Sequence, residues 1–134
     1  MLHGMTERTA SQRGRWARQK GKRGERDLVK LLRKIWPKAK RGWQTRSGRD
    51  DPDVVVPYLW IESKFGIKPN PRAALEQAVA DSAGTDKLPV AVIRDNGKPA
   101  FVVMRLTDYY QMLVEMFGEK DGDTTDQGEA EGDE

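Results

Sequence analysis

The sequence predicts one mixed α/β (α+β) domain in which helices flank a central mixed β-sheet. Three observations support this fold class: an apolar stripe at helical spacing, two pairs of β-rich runs separated by turn residues, and capping residues that bound further helices. The chain has 134 residues, of which 37% are hydrophobic. That composition suits one modest core within a folded domain over residues 21–117.

The first helix is predicted over residues 22–36, after a basic, flexible arm over residues 1–20. Its apolar positions follow a helical period, and Pro37 ends it. They are Leu28, Val29, Leu31, Leu32, Ile35 and Trp36. A basic stretch follows over residues 38–50, and its centre at 43–46 is predicted to form a short strand before a loop.

The remaining elements are bounded by turn and capping residues. Two β-rich runs at 53–56 and 59–65 flank Pro57-Tyr58, which predicts a tight hairpin. Asn70 as N-cap and Pro71 at the first position predict a second helix that ends before Gly84. Runs at 88–94 and 99–104 predict a second hairpin. A last helix is expected from Thr107, as its N-cap, to about residue 117, before an acidic, disordered tail over 118–134.

Composition excludes several kinds of chemistry. The chain has no cysteine and a single histidine, His3, in the leading arm. Thiolate zinc sites, disulfides and histidine-dependent triads are therefore not expected in the folded domain. Catalysis would have to use carboxylates, lysine, hydroxyls or a metal ion. No segment predicts a membrane span or a signal peptide, so we expect a cytoplasmic protein, or one of the host cytoplasm if it is phage-encoded.

The net charge of +3 conceals a polarised distribution. Residues 1–50 carry a net charge of +12, residues 51–117 carry −2, and residues 118–134 carry −7. A block this basic fits a polyanionic partner, because each neutralised phosphate releases counterions. A solvated basic surface is the simpler interpretation, and charge alone does not decide between them.

The first hairpin places two carboxylates opposite each other. If Pro57 and Tyr58 form the turn, Asp53 faces Glu62, and opposed residues project to the same side of the sheet. Two acids in otherwise apolar strands repel each other unless a cation or a shared proton compensates. Mg²⁺ prefers carboxylate oxygens and water, so a divalent metal accounts for the pair. Period-two alternation adds Lys64 beside Glu62, where an ammonium group can orient water.

The first helix offers a further acid. Glu25 lies on the edge of the apolar stripe, four residues before Val29, and is predicted to look inward. Taken alone, Glu25 would be a carboxylate that stabilises the start of the helix. Beside a predicted acidic site it becomes a candidate ligand, or a partner of a metal-bound water.

These motifs resemble a known family. The segment PDVVVPYLWIESK resembles the PD-(D/E)XK motif of a large nuclease superfamily, with Pro52-Asp53 as PD and Glu62-Ser63-Lys64 as ExK. The preceding GKRGERDLVKLL is similar to the first-helix motif of archaeal-type Holliday junction resolvases and their phage-encoded relatives, with Glu25-Arg26 at the matching positions. RSG resembles the serine-bearing loop of those resolvases, with Ser47 as the match.

The resemblance implies a restriction-endonuclease-like core that binds Mg²⁺ or Mn²⁺. It implies that Asp53 and Glu62 bind the metal directly, with the Ser63 carbonyl as a further ligand and Glu25 on the metal or its water. Lys64 would position the attacking water, and the reaction would be phosphodiester hydrolysis. The short link between the two motif halves, the long basic arm and the acidic tail depart from the family pattern.

Several residues around the motif are candidates for DNA contact. They would bind phosphate and position the nucleic acid without reading its sequence. We expect this of Arg26, Arg41, Arg46, Arg49, Lys68 and Arg72. Trp43 could stack on an exposed base, although a lone tryptophan is more often part of a core. Gln77 is equally well interpreted as an active-site neighbour or as an exposed helix residue.

The sequence thus predicts a metal-dependent DNA endonuclease, selective for branched or four-way junction DNA in the manner of a Holliday junction resolvase. The alternatives are a less selective nickase, a repair or restriction-like nuclease, a catalytically silent DNA-binding module, and a protein-assembly domain that binds no divalent cation. Tyr109, Leu113, Met116 and Phe117 of the last helix are predicted mostly to pack on the sheet, with a dimer contact as the alternative. A homodimer would suit paired nicks in a junction. No membrane partner is expected.

Overall fold

The computed structural model of the protein describes residues 9–43 and 51–118, without the side chains of residues 16–20. These residues form three helices and five strands, an α/β fold with a mixed sheet. In chain order they are α1 (Ala10–Leu32), β1 (Lys40–Arg41), β2 (Val54–Val55), β3 (Leu59–Gly66), α2 (Pro71–Ser82), β4 (Leu88–Asp95), β5 (Phe101–Val103) and α3 (Leu106–Phe117). Residues 1–8 of the predicted arm and the tail from residue 119 lie outside the described range.

The five strands follow one another in the sheet in chain order. β3 and β4 are parallel, and the other neighbours are antiparallel. A parallel pair needs a crossover connection, which α2 supplies. The predicted register of the first hairpin is confirmed, because Val54 pairs with Ile61 and Val55 with Trp60.

Helix α1 differs from its predicted limits at both ends. It begins at Ala10 instead of residue 22, because Thr9 and Gln12 form a capping box in which each side chain bonds the other's backbone N–H. It ends at Leu32 instead of Trp36, and the chain then turns. Ile35, predicted within the apolar stripe, is 68% exposed.

The first described strand comprises Lys40 and Arg41, which pair with Val55 and Val54 and precede the predicted segment 43–46. Most of the predicted segment, residues 44–46, lies outside the described residues. Gly42 follows this strand, and a Cβ there would overlap the backbone carbonyl oxygen of Pro52. Glycine is therefore what lets the two backbone segments approach this closely.

The later elements largely match the prediction. Asn70 caps α2 by accepting from the backbone N–H of Ala73, and Gly84 follows the helix with a φ of 87°. β4 and β5 form the second hairpin, with Gly97 in its turn at a φ of 75°. The N-cap of α3 is Arg105 and not Thr107.

The two faces of the sheet carry separate apolar clusters. On one face Val29 of α1 packs with Val54, Ile61 and Val92. On the other, Ala74 of α2 packs with Ala91 and Ile93. Each of these helices thus covers one face of the sheet, which is how a mixed sheet buries both of its apolar sides.

Residues 105–118 belong to a second compact unit, described here by itself. Within it, the guanidinium of Arg105 donates to the carboxylate of Asp108 at 2.8 Å, which joins the N-cap of α3 to its first turn. The predicted packing of Tyr109, Leu113, Met116 and Phe117 on the sheet stays a prediction. Among the described helices, none combines the length and the apolar composition that crossing a bilayer requires.

Candidate functional site

The site is built where β2 begins beside β3. Asp53 precedes β2, and its backbone still joins the sheet: its N–H donates to the Ile61 carbonyl and its carbonyl accepts from Gly42, each at 2.9 Å. Its carboxylate turns to β3 and accepts from the Ser63 N–H at 2.8 Å and from the Ser63 hydroxyl at 3.2 Å. The Asp53 carboxylate, and not a backbone carbonyl of β2, is thus the hydrogen-bond partner of the Ser63 N–H.

Glu25 of α1 lies at the same point. Its carboxylate accepts from the Nε of Arg41 at 3.1 Å, and its side chain is 21% exposed. Burial raises the pKa of Glu25 above its usual value of 4.5, and the charge of Asp53 raises it further. Hydrogen bonds from Arg41 and from the Ser63 hydroxyl act in the opposite direction. Glu25, Asp53, Ser63 and Arg41 therefore form one interacting cluster.

Glu62 occupies the other face of β3. Its register partner on β4 is Ala91, which packs under α2, whereas Ser63 pairs with Val92 on the α1 face. The side chain of Glu62 is fully buried, and it accepts from the indole N–H of Trp60 at 3.1 Å. The register pairs of β2 and β3 reach only to Val54 and Ile61, and the Asp53 N–H also bonds the Ile61 carbonyl. The predicted pairing of Asp53 with Glu62 is therefore not formed, and their carboxylates bond different neighbours.

Lys64 follows on the same face as Glu62. Period-two alternation places Trp60, Glu62 and Lys64 on one side of the strand, and Lys64 pairs in register with Ile93. The residue is exposed, so its ammonium group reaches solvent. Glu62 and Lys64 thus lie on one face of β3, and the cluster of Glu25, Asp53, Ser63 and Arg41 lies on the other face.

The donor set of the cluster fits a hard cation in part. Two carboxylates that repel each other are the groups whose charge a divalent ion compensates. Because a strand residue directs its N–H and carbonyl to the same side, the Ser63 carbonyl faces the edge where Asp53 lies. Within residues 9–43 and 51–118, however, no group of three or more acidic, histidine or cysteine side chains is arranged to hold a metal. Water would have to complete the coordination, as is usual for Mg²⁺.

The predicted DNA-contact residues lie on several elements of the fold. Arg26 and Arg72 are exposed on α1 and α2, and Lys68 is exposed in the loop after β3. Trp43 is 72% exposed, which argues against the core interpretation of this side chain. Gln77 is exposed and donates to Asp81 at 2.9 Å, as expected of an ordinary helix-surface residue. Ser47, Arg46 and Arg49 lie outside the described residues.

Two contributing residues were missed by the sequence reasoning. Trp60 binds the carboxylate of Glu62, and the period-two spacing of the pair could have indicated it. Asp51 accepts from the Trp43 N–H at 2.9 Å and so joins the two described ends that flank residues 44–50. No sequence signal identifies this second contact, because it depends on how the chain returns to the sheet.

Comparisons with protein-family models, with curated proteins and with solved structures found no match.

Proposed function

We propose that the protein is a metal-dependent DNA endonuclease with a restriction-endonuclease-like core of the PD-(D/E)XK type. The observation that carries the proposal is the meeting of two carboxylates from separate elements, Glu25 and Asp53, around Ser63. Bringing like charges together in a half-buried position costs free energy, and a bound cation would offset that cost.

The cation proposed for this cluster is Mg²⁺ or Mn²⁺. Asp53, Glu25 and the Ser63 carbonyl would hold it, and water would complete its coordination. Glu62 would join them only after a change of rotamer that releases the indole of Trp60. Arg41, which now balances the charge of Glu25, would be free to bind the DNA phosphate once the cation replaces it.

The proposed reaction is hydrolysis of a phosphodiester bond. The ion would act as a Lewis acid on the phosphoryl group and stabilise charge on the leaving oxygen. Glu25 would accept a proton from the attacking water, and burial, which raises the pKa of this carboxylate, makes it a stronger base. The water oxygen would attack phosphorus as the bond to the 3′ oxygen breaks. That oxygen would take a proton from solvent water, and Glu25 would return to solvent the proton that it accepted. Lys64 orients the water or balances charge on phosphate.

The DNA-binding surface proposed for the enzyme includes α1. The helix spans 23 residues, about 34 Å, close to one turn of duplex DNA. Its sequence carries eight Lys or Arg against two acidic residues. Such a helix suits contact with the phosphate backbone of a duplex arm. We propose branched DNA, in particular the four-way junction, as substrate, and a homodimer that would suit paired nicks.

A second candidate is a catalytically silent DNA-binding module. It is favoured by Glu62, whose buried carboxylate bonds Trp60, and by the lack of a three-ligand cluster among the described residues. Against it stands the acidic cluster itself, because carboxylates near phosphate weaken binding unless a cation lies between them. A less selective nickase or a repair or restriction-like nuclease would use the same site on other DNA.

The test is cleavage of labelled four-way junction, duplex and single-stranded DNA in Mg²⁺, Mn²⁺ or EDTA. Wild-type protein should cut in either metal and not in EDTA, with symmetric nicks in the junction. Asp53→Asn should lower the rate at least about 100-fold, whereas Glu76→Gln, an equal charge change on the exposed side of α2, should not. Binding without cutting under all conditions would favour the silent module. Equal cutting of all substrates would favour a general nuclease.

A further inference from the structure

A second concave site lies beside the carboxylate cluster, between α1 and the carboxyl ends of β3 and β4. It is a cleft of about 410 Å³, within the range of small-molecule sites. The carboxyl ends of parallel strands are where α/β sheets commonly bind ligands. The nuclease proposal assigns no role to this cleft.

The floor of the cleft is apolar. It is formed by side chains of α1 and of the two parallel strands, namely Leu28, Leu31, Phe65 and Val92. Leu31 is 56% exposed, which is unusual for a leucine on the core-facing half of a helix. Phe65 lies directly against the helix backbone, because a Cβ on Gly24 would overlap its ring. A flat apolar group could therefore lie between the helix and the strands.

The rim of the cleft is charged. Arg23 and Arg94 line it, and the Nε of Arg94 donates to the Lys98 carbonyl at 2.9 Å. That bond fixes the guanidinium while its two Nη groups stay available for a phosphate. Asp27 and Asn96 line the same rim. A carboxylate there repels a bare anion but accepts hydrogen bonds from amino groups, so the lining suits a ligand with an anionic group, a planar apolar group and hydrogen-bond donors.

We propose that this cleft binds a nucleotide, with its base on the apolar floor and its phosphate between Arg23 and Arg94. The identity of that nucleotide rests on the proposed function: in the nuclease it would be an unstacked nucleotide of the DNA, beside the bond that is cut. Phe65 follows Ser63 by two residues on the same face of β3, which places the Cα atoms of these two residues about 7 Å apart. A free nucleotide offers the same chemistry, and the experiment separates the two sources.

The position of the cleft favours an unstacked base. In a duplex, successive nucleotides rise by only about 3.4 Å along each strand, and each base is covered by its neighbours. The cleft is lined by α1 on one side and by the sheet on the other. A base must leave its stack to enter such a site, and unpaired bases, as found at branch points or ends, do so at the lowest cost.

The first measurement is binding of dAMP to the full chain without metal, followed through backbone amide resonances. The expected shifts map to Gly24, Gly66 and Gly97, which line the cleft. Arg94→Gln should weaken binding about tenfold through loss of a charge-assisted contact. Leu31→Ala should weaken it several-fold, and because Leu31 is exposed the variant should fold normally.

The matched control is Lys87→Gln, which removes one positive charge at the opposite end of β4, about 23 Å from Arg94. It should bind dAMP as the wild type does. Inorganic phosphate at equal concentration should not shift the cleft resonances. Shifts elsewhere on the surface, or equal binding by wild type, Arg94→Gln and Leu31→Ala, would overturn the proposal.

The source of the nucleotide is tested with a short single strand that carries one 2-aminopurine. If the strand uses the cleft, its fluorescence changes on binding, and Arg94→Gln diminishes the change. If only dAMP binds there, the cleft takes a free nucleotide. Both measurements are made without metal, so they do not depend on cleavage. If the wild-type protein binds dAMP in the cleft but cleaves no DNA, the nuclease proposal alone is wrong. If it cleaves DNA but no nucleotide binds in the cleft, this inference alone is wrong.

Discussion

Asp53 has two separable roles, one in the fold and one at the cation site, and two substitutions distinguish them. Its carboxylate accepts from the N–H and the hydroxyl of Ser63 and so completes the edge of β3. Asp53→Ala removes both bonds. A hydrogen bond to a charged group contributes about 1.5–3 kcal/mol, and part of this is recovered because the repulsion of Glu25 disappears. We expect a net loss of about 1–2 kcal/mol.

For a chain of this size, a loss of 1–2 kcal/mol corresponds to a fall in Tm of about 4–10 °C. Asp53→Asn keeps an acceptor for the Ser63 N–H and removes the charge. It should therefore lie within about 1 kcal/mol of the wild type in EDTA. Both variants should lose the rise in Tm that Mg²⁺ or Mn²⁺ gives the wild type, because one cation ligand is weakened or absent in each.

The assay is urea denaturation and thermal unfolding of both variants, each with EDTA and with Mn²⁺. Equal stability of wild type and Asp53→Ala in EDTA would show that the carboxylate does not support β3. A Mn²⁺-dependent rise in Tm that is the same for Asp53→Asn and wild type would refute the ligand role, whatever the effect on stability.

Three further substitutions test the surroundings of the cluster. Because the pKa of Glu25 is raised in the folded state, its stabilising contribution is present below its unfolded pKa and is lost as pH rises through the folded pKa. Glu25→Gln in EDTA should thus be more stable than wild type at pH 7 and lose that advantage near pH 4; an advantage that does not change with pH would contradict this. Trp60→Phe removes the indole donor of buried Glu62 and should lower the free energy of unfolding by about 1–3 kcal/mol. Mn²⁺ should restore part of this stability if the Glu62 carboxylate turns to the cation. A loss of stability that Mn²⁺ does not change in chemical denaturation would contradict that turn. Gly42→Ala should cost about 1–3 kcal/mol and slow DNA cleavage, because the added methyl group displaces the backbone that bonds Asp53; wild-type cleavage and unfolding midpoints would show that the close approach is dispensable.

Local chemistry predicted much of this fold. The Pro57-Tyr58 turn established the pairing of Val54 with Ile61, because a short turn leaves only one register. Asn70 and Pro71 established the start of α2 for the same kind of local reason. These features depend on neighbours in sequence, and so the sequence was sufficient to predict them.

The prediction missed two boundaries, one because a local capping signal was overlooked and one because the strand depends on tertiary pairing. The start of α1 was missed because its first two turns are polar and glycine-containing, although the Thr9–Gln12 capping box marks the true beginning. The position of β1 depends on pairing with β2, thirteen residues further along the chain, and a two-residue strand has no sequence pattern of its own.

Strand alternation predicted the direction of some side chains in the site but not of others. Strand periodicity correctly placed Glu62 and Lys64 on one face of β3. It did not indicate that the Asp53 carboxylate would bond Ser63 at the strand edge, because Asp53 lies just before β2, where the pleat of that strand does not dictate side-chain direction. The inward position of Glu25 was predicted from helical spacing, and its contact with Arg41 shows where that side chain is held.

The central claim is that Glu25 and Asp53 together bind a divalent cation, and calorimetric titration with Mn²⁺ tests it most directly. We predict one ion per chain for the wild type and for Glu76→Gln, with binding weakened at least about tenfold in Glu25→Gln and in Asp53→Asn. Equal Mn²⁺ affinity in all four proteins would mean that the two carboxylates do not form a cation site.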